Sequence, residues 1–225
     1  MHGIFDSHPS ETGEYDQTWM GSSRKRESLH KKKGVHMHDS EHVRLALGHV
    51  IVVRPDPSWS ECFSRERERL RPVLGRLAGD IQHYGSTAVP GLCAKPIIDM
   101  MAPVASLDQA DELGKELASV GYSKIDAGFL QRRFFRRRDD RADLAYHLHL
   151  VVSPTWPLKN ELLLRDWLIQ HADVAREYEA LKMNLAAAYG NDMPRYTEGK
   201  SAFIRRAVND ARLGFGLPAE CDWNE

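Results

Sequence analysis

Residues 83–92 read His83-Tyr84-Gly85-Ser86-Thr87-Ala88-Val89-Pro90-Gly91-Leu92, and beyond Cys93 come Ala94-Lys95-Pro96-Ile97-Ile98-Asp99-Met100-Met101. Ile81 to Tyr84 is a strand ending in Gly85-Ser86, Pro90-Gly91 is a turn, and Pro96 to Met101 is a second apolar strand interrupted only by Asp99. Gly85 permits a tight turn and a close approach of backbone to a ligand. Ser86 and the free N–H groups of such a turn suit phosphate oxygens. A carboxylate among Ile97, Ile98, Met100 and Met101 is costly to bury unless it is paired or metal-bound. The plainer alternative is that Asp99 caps a loop at a strand end and Gly85 only turns the chain.

On the N-terminal side, Val50 to Val53 is a β-branched run stopped by Pro55 and Pro57. Ser58 is placed to cap a helix to about Leu74, with Trp59, Phe63, Leu70 and Leu74 near helical spacing. On the C-terminal side, Ser106 opens a helix carrying Leu107, Leu113, Leu117 and Val120, and Gly121 fits its C′ position. Phe134-Phe135 lies in an arginine-rich segment, and Leu144 to Val152 is a clean strand. Helices follow over about 158–170, 174–189 and 194–213. Residues 1–40, rich in Gly, Ser, His and charge, read as a disordered extension; Met37 is an alternative start. The pattern is an α/β core followed by packed helices, one domain over 41–215 with a tail at 216–225.

These blocks resemble the nucleotidyltransferase superfamily with the DNA polymerase β-like fold, in which Gly-Ser precedes a strand bearing acidic residues. The resemblance to its GrpB-like branch is closer. It is carried by His83 to Leu92, Ala94 to Asp99, Arg133-Phe134-Phe135 and His147-Leu148-His149-Leu150-Val151. Leu164-Arg165-Asp166-Trp167-Leu168 with His171, Tyr178-Glu179-Ala180-Leu181-Lys182, and Tyr196 with Lys200 and Phe203-Ile204 complete the series. The resemblance runs from about Val50 to Val208. It implies an α+β fold, a nucleotidyltransferase-like mixed β-sheet flanked by helices with C-terminal helices packed on the core. It also implies, by superfamily analogy, nucleotide and divalent-metal binding (Mg or Mn). Some relatives of this kind are fused to dephospho-coenzyme A kinase; this chain has no P-loop GxxxxGK[ST].

The chain departs from the active superfamily pattern at two positions. The second carboxylate position, two after Asp99, is Met101, which cannot hold Mg²⁺. The late-strand acid is replaced by histidine, and the period of two puts His147 and His149 on one face. Two-metal phosphoryl transfer needs several carboxylates around ions about 3.5–4 Å apart. One Asp and one or two His hold at most one ion, so the expected metal pair is Asp99 and His149. Asp99, His149 and His147 are the catalytic candidates, a histidine being suited to act as general base near neutrality. The same histidines read equally as partners of core carbonyls.

Gly85, Ser86, Thr87, Lys95, Arg133, Arg136, Lys182 and Lys200 are the phosphate-binding candidates, since guanidinium and ammonium groups neutralise phosphate charge. The cluster Arg132, Arg133, Arg136, Arg137, Arg138 and Arg141 is alternatively a solvated hairpin tip, and helical Lys182 and Lys200 alternatively face water. The full chain of 225 residues has 31 Lys+Arg against 32 Asp+Glu, so a wholly basic nucleic-acid binder is not expected and any anion site is a local patch. No stretch approaches the ~20 apolar residues of a membrane span. Three scattered cysteines form no CxxC pair, which indicates neither a disulfide framework nor a zinc ribbon. A cytoplasmic protein is the default. The expected activity is a metal-assisted transferase acting on a nucleotide or other phosphate-bearing substrate. The alternatives are a non-catalytic nucleotide- or anion-binding module and an interaction domain.

Overall fold

The computed structural model describes residues 49–139, 142–152, 154 and 156–220, with no side-chain account of residues 78 and 79. The expected extension over 1–40, Arg141 and the final residues 221–225 of the expected tail lie outside them. The first helix, α1 (Trp59–Leu74), buries Trp59, Cys62, Glu66, Leu70 and Leu74, which recur at three- and four-residue steps and so share one face. Ser58 precedes it but makes no side-chain cap. Instead the Asp56 carboxylate accepts the Ser58 N–H at 2.8 Å, an Asx turn two residues before the helix-capping position expected.

Five strands form one sheet in the order β1-β2-β5-β4-β3. They are β1 (Gln82–Tyr84), β2 (Ile97–Val104), β3 (Ser123–Ile125), β4 (Arg132–Asp139) and β5 (Leu144–Val152). The pair β2–β5 is parallel, whereas β1–β2, β4–β5 and β3–β4 are antiparallel. The sheet is therefore mixed, and the α+β class read from the sequence is the one observed. The expected strand over 50–53 reduces to a single bridge, Val53 with Ala94. Pro55 and Pro57 lack the N–H groups that would extend the ladder.

Alternation gives the sheet two different faces. Ile98, Met100, Ala102 and Val104 of β2 join Leu148, Leu150 and Phe135 in a core closed by Leu70 and Leu74 of α1 and by Leu117. Two short helices, α2 (Leu107–Glu112) and α3 (Gly114–Ser119), stand where one helix was expected, with the break at Leu113. Ser106 does cap α2, its hydroxyl accepting the Gln109 N–H at 3.1 Å. Beyond the sheet lie α4 (Asn160–Gln170), α5 (Ala172–Tyr189), α6 (Met193–Glu198) and α7 (Ser201–Gly214). Leu168, Tyr178, Phe203 and Ala207 pack there with Val89 and Leu92 as a second cluster. The expected helix over 194–213 is two helices. A side chain at Gly199, between them, would meet Leu185 at 2.5 Å.

Candidate functional site

β1 and β2 pair so that Tyr84 lies opposite Asp99. The next residue, Gly85, is consequently laid against the Asp99 carboxylate. Its φ is +72°, and an added Cβ would stand 2.6 Å from Asp99 Oδ2. Glycine is required here twice over, for the backbone angle and for the space. Ser86–Ala88 then form one 3₁₀ turn. The buried Thr87 hydroxyl donates to the Ile97 carbonyl at 2.8 Å, which fastens the turn to the start of β2. Thr87 Oγ1 also lies 3.0 Å from His83 Nε2. With its own proton committed to Ile97, the hydroxyl accepts, so His83 carries its proton on Nε2. Burial pushes His83 down to about 4, against an opposing pull from Asp99. Its ring stacks on Phe63 at 4.9 Å. His83 is therefore a neutral support beneath the turn.

The parallel register sets Asp99 beside His147 and Met101 beside His149. His147 Nδ1 lies 3.2 Å from Asp99 Oδ1, and both side chains keep about a quarter of their surface open, at 21% and 28%. His149 is only 7% exposed. Its ring stacks on Phe134 at 4.6 Å and 9°, with Tyr84 and Phe129 edge-on at 6.0 and 5.8 Å. The two histidines share a face, as their spacing predicts, yet their surroundings differ. One stands by a carboxylate at the surface and the other is packed among aromatic rings.

Three lysines converge on this region from separate segments. Lys182 of α5 is 3% exposed. It donates to Ser86 Oγ at 3.0 Å and to the Cys93 carbonyl. Burial lowers it to about 8, opposed by Glu179. Lys200, just before α7, is likewise lowered to about 8, by burial first and then by the Lys95 ammonium, while Asp99 opposes. Lys95 is lowered by burial and held up by Asp99. The Lys95 and Lys200 ammoniums sit 5.9 and 4.6 Å from the Tyr196 ring centre. Among the described residues, Asp99 and Glu179 are the carboxylates that hold these ammoniums up against burial. Of the two readings of helical Lys182, the water-facing alternative is not the one observed, because α5 turns that residue toward the Gly85-Ser86 turn.

The arginines are sorted by strand alternation. Arg136 lies across from His147 on the Asp99 side of the sheet and is exposed. Arg133 points to the reverse side, where its Nε is shared between the two Asp111 oxygens at 2.8 and 3.0 Å. It is not brought to the turn. Arg138 is paired with Asp143 at 3.0 Å. Arg165 of α4 donates to the His83 carbonyl at 2.8 Å and to Gln82 Oε1 at 3.2 Å, anchoring β1 two residues before Gly85. Its neighbour Asp166 accepts from Arg165 Nε at 2.7 Å.

A cavity of about 510 Å³ opens on the far side of the turn. Tyr84, Gly85 and Ser86 form one end, and α4, α5 and α7 supply Leu164, Leu168, Tyr178 and Ile204. Asp99 and His147 are not on its wall, whereas Gly85, laid against the Asp99 carboxylate, is. The sequence offered no signal for this space, since its walls come from segments more than a hundred residues apart.

The donors present do not fit the expected metal. Among the described residues no group of three or more His, Cys, Asp or Glu could hold an ion. The pair Asp99 and His149 lacks a third ligand because Met101 fills the position beside His149. The ammoniums near Asp99 also oppose a cation. Among the described residues, no helix is long and apolar enough to cross a membrane.

Comparison with known proteins follows the same outline. The family model described as GrpB protein matches residues 49–210. The UPF0157 protein YqkA of Bacillus subtilis is 34% identical over 164 residues, 72% of this chain and 47% of that protein, so the chain spans about half of that relative's length. The crystal structure of the conserved protein GrpB from Enterococcus faecalis aligns with a TM-score of 0.65 and 30% identity, covering 74% of this chain and 99% of that one. The Cid1 poly(U) polymerase, in a structure with Mg and 3′-dATP bound, aligns at 17% identity and a TM-score of 0.43, over 71% of this chain and 51% of that one.

Proposed function

The chain belongs to the GrpB family, and from that premise we propose that the Gly85-Ser86 turn binds the phosphate of a small molecule, with Asp99 and His147 set to act on it. The observation that carries this reading is the convergence of Lys182, Lys200 and Lys95 on a turn that already offers Ser86. The buried Lys182 and the half-buried Lys95 and Lys200 are costly to keep charged, and a bound dianion would offset that cost. Lys182 holds Ser86 in place and lends its charge to the phosphate. Lys200 and Lys95 approach from the Tyr196 side, and the exposed Arg136 completes the surround. Thr87 serves through its bond to Ile97, which fixes the turn.

His147, with Nδ1 beside Asp99, is free to take a proton at Nε2 from an attacking hydroxyl, and Asp99 stabilises the imidazolium that forms. The acceptor oxygen bonds to phosphorus as the P–O bond to the leaving group (pyrophosphate or an alcohol) breaks, and the leaving oxygen takes any proton it needs from solvent. The ammoniums stabilise charge on the phosphate oxygens. A nucleotide is one member of the substrate class. His149 supports Phe134 and Tyr84 and takes no part in proton transfer. No step is assigned to a metal. A second reading, binding without turnover, is favoured by Met101 at the position of the second carboxylate.

Calorimetry with inorganic phosphate and ATP tests the reading on the wild type, Lys182→Met and Asp99→Asn. Lys182→Met is expected to weaken both ligands at least tenfold. Asp99→Asn is expected to bind them as well or better, because it removes a negative charge, while abolishing any release of pyrophosphate or phosphate. Equal affinity in the wild type and Lys182→Met would sink the phosphate site. Intact binding with no turnover under any acceptor selects the second reading.

A further inference from the structure

The cavity beyond the turn differs in chemistry from the lysine side, and nothing in the phosphate reading uses it. Leu158, Leu164, Leu168, Ile204 and Val208 give it an aliphatic strip, beside Tyr84 and Tyr178 and a rim of polar and charged side chains. Each charged side chain on that wall has at least one partner, although Glu161 Oε2 is buried without a hydrogen bond among the described residues. Glu161 accepts from Arg132 at 2.9 Å, Arg165 is held by Asp166 and the His83 carbonyl, and Lys159 too has a partner. At the far end Arg212 donates to Asn160 Oδ1 at 3.1 Å and to Glu220 at 3.2 Å, and Asn160 donates to Glu220. The space therefore presents unspent positive charge only at its Ser86 end, where Lys182 stands behind the hydroxyl. Its volume, about 510 Å³, falls within the usual range of about 300–1,000 Å³ for small-molecule sites.

We propose that this cavity is the binding site for the organic part of the substrate, and that the substrate class is phosphate esters with a mainly aliphatic, uncharged body. The proposal rests on the phosphate site described above. The phosphate sits at Ser86 and Lys182, and the ester oxygen leads the body past Gly85, Tyr84 and Tyr178 into the space between α4 and α7. There the body meets Leu164 and Ile204 and displaces water from apolar surface, the main source of affinity. An anionic body is disfavoured there by the buried Oε2 of Glu161, and Arg165 and Arg212 would have to leave their present partners to meet it.

The test compares n-hexyl phosphate, inorganic phosphate and uridine 5′-monophosphate by calorimetry on the wild-type chain, Ile204→Asn and Lys182→Met. The wild type is expected to bind n-hexyl phosphate at least about tenfold tighter than inorganic phosphate, since several methylenes become buried. Ile204→Asn is expected to erase that advantage while leaving inorganic phosphate unchanged, with circular dichroism checking that the variant is folded. Lys182→Met is expected to weaken all three ligands. If n-hexyl phosphate binds no tighter than inorganic phosphate to the wild type, or if only uridine 5′-monophosphate gains, the aliphatic-body assignment falls and the phosphate site stands. If none of the three binds, or none responds to Lys182→Met, the phosphate site falls with it. The wild-type comparison needs no variant, so an unstable Ile204→Asn does not protect the proposal.

Discussion

The two faces of the sheet each carry buried charge, and they treat it in opposite ways. Under α1, Glu66 is 3% exposed and takes Arg137 in a two-point pair at 2.9 and 2.5 Å, with the Tyr122 hydroxyl donating at 2.8 Å. The guanidinium also lies over the Tyr146 ring at 4.2 Å. One anion meets one cation, every contact is internal, and the group is closed. On the Asp99 face, Lys95, Lys182 and Lys200 outnumber the carboxylates that act on them, and Asp99 and His147 keep an opening to water. A polar cluster that balances itself holds a fold together. One that does not balance is built to receive something from outside.

The contrast is broken most forcefully by Arg137→Met. It leaves Glu66 buried without its cation, and a loss of roughly 3–5 kcal/mol in unfolding free energy is expected from urea titration. Inorganic phosphate affinity at the other face is expected to stay unchanged in the protein that remains folded. A large loss of affinity at unchanged stability would erase the division between the faces.

The open face is sharpened by pH. Lys182 and Lys200 are depressed from 10.5 to about 8. An anion binds their protonated forms, so affinity is full below that value and lost as pH rises through it. Sulfate, a dianion throughout this range, is expected to bind at least about tenfold more weakly at pH 9 than at pH 7. A profile flat to pH 9 would mean that ordinary, solvated lysines hold the anion.

The smallest effect belongs to Arg133→Ala. That guanidinium is paired with Asp111 on the reverse side, and an exposed pair of this kind contributes about 0–1 kcal/mol. Thermal melts are expected to shift little and sulfate affinity not at all. A marked loss of sulfate binding would place Arg133 at the site after all.

Much of this was legible in the sequence. The run from Leu144 to Val152 marked β5 from end to end, and the apolar steps from Trp59 to Leu74 marked α1. Gly85-Ser86 and the isolated Asp99 marked the turn and its carboxylate because glycine and a stranded acid each break a local rule. Arg133 and Arg136 could not be told apart, since a period of two says that they face opposite ways without saying which way is the site. Lys182 was a phosphate-binding candidate whose alternative was a water-facing position, since helical lysines mostly face water. Its burial is decided by where α5 docks, which is a long-range matter. Glu66 and Arg137, 71 residues apart, carried no local sign of each other. The aliphatic cavity was hidden for the same reason.

The β4–β5 hairpin has a consequence for how this protein tolerates change. Arg136, His147 and Asp99 form a single rung across three strands, and the hairpin turns near Asp143, whose φ is +48°. Deleting or inserting one residue at that exposed corner would leave composition and hydropathy nearly untouched. It would nevertheless rotate the imidazole of His147 to the opposite surface of the ribbon, away from its carboxylate. The length of that corner is thus tied to the proposed proton acceptor, and length variants there are a more sensitive gauge of that proposal than substitutions nearby.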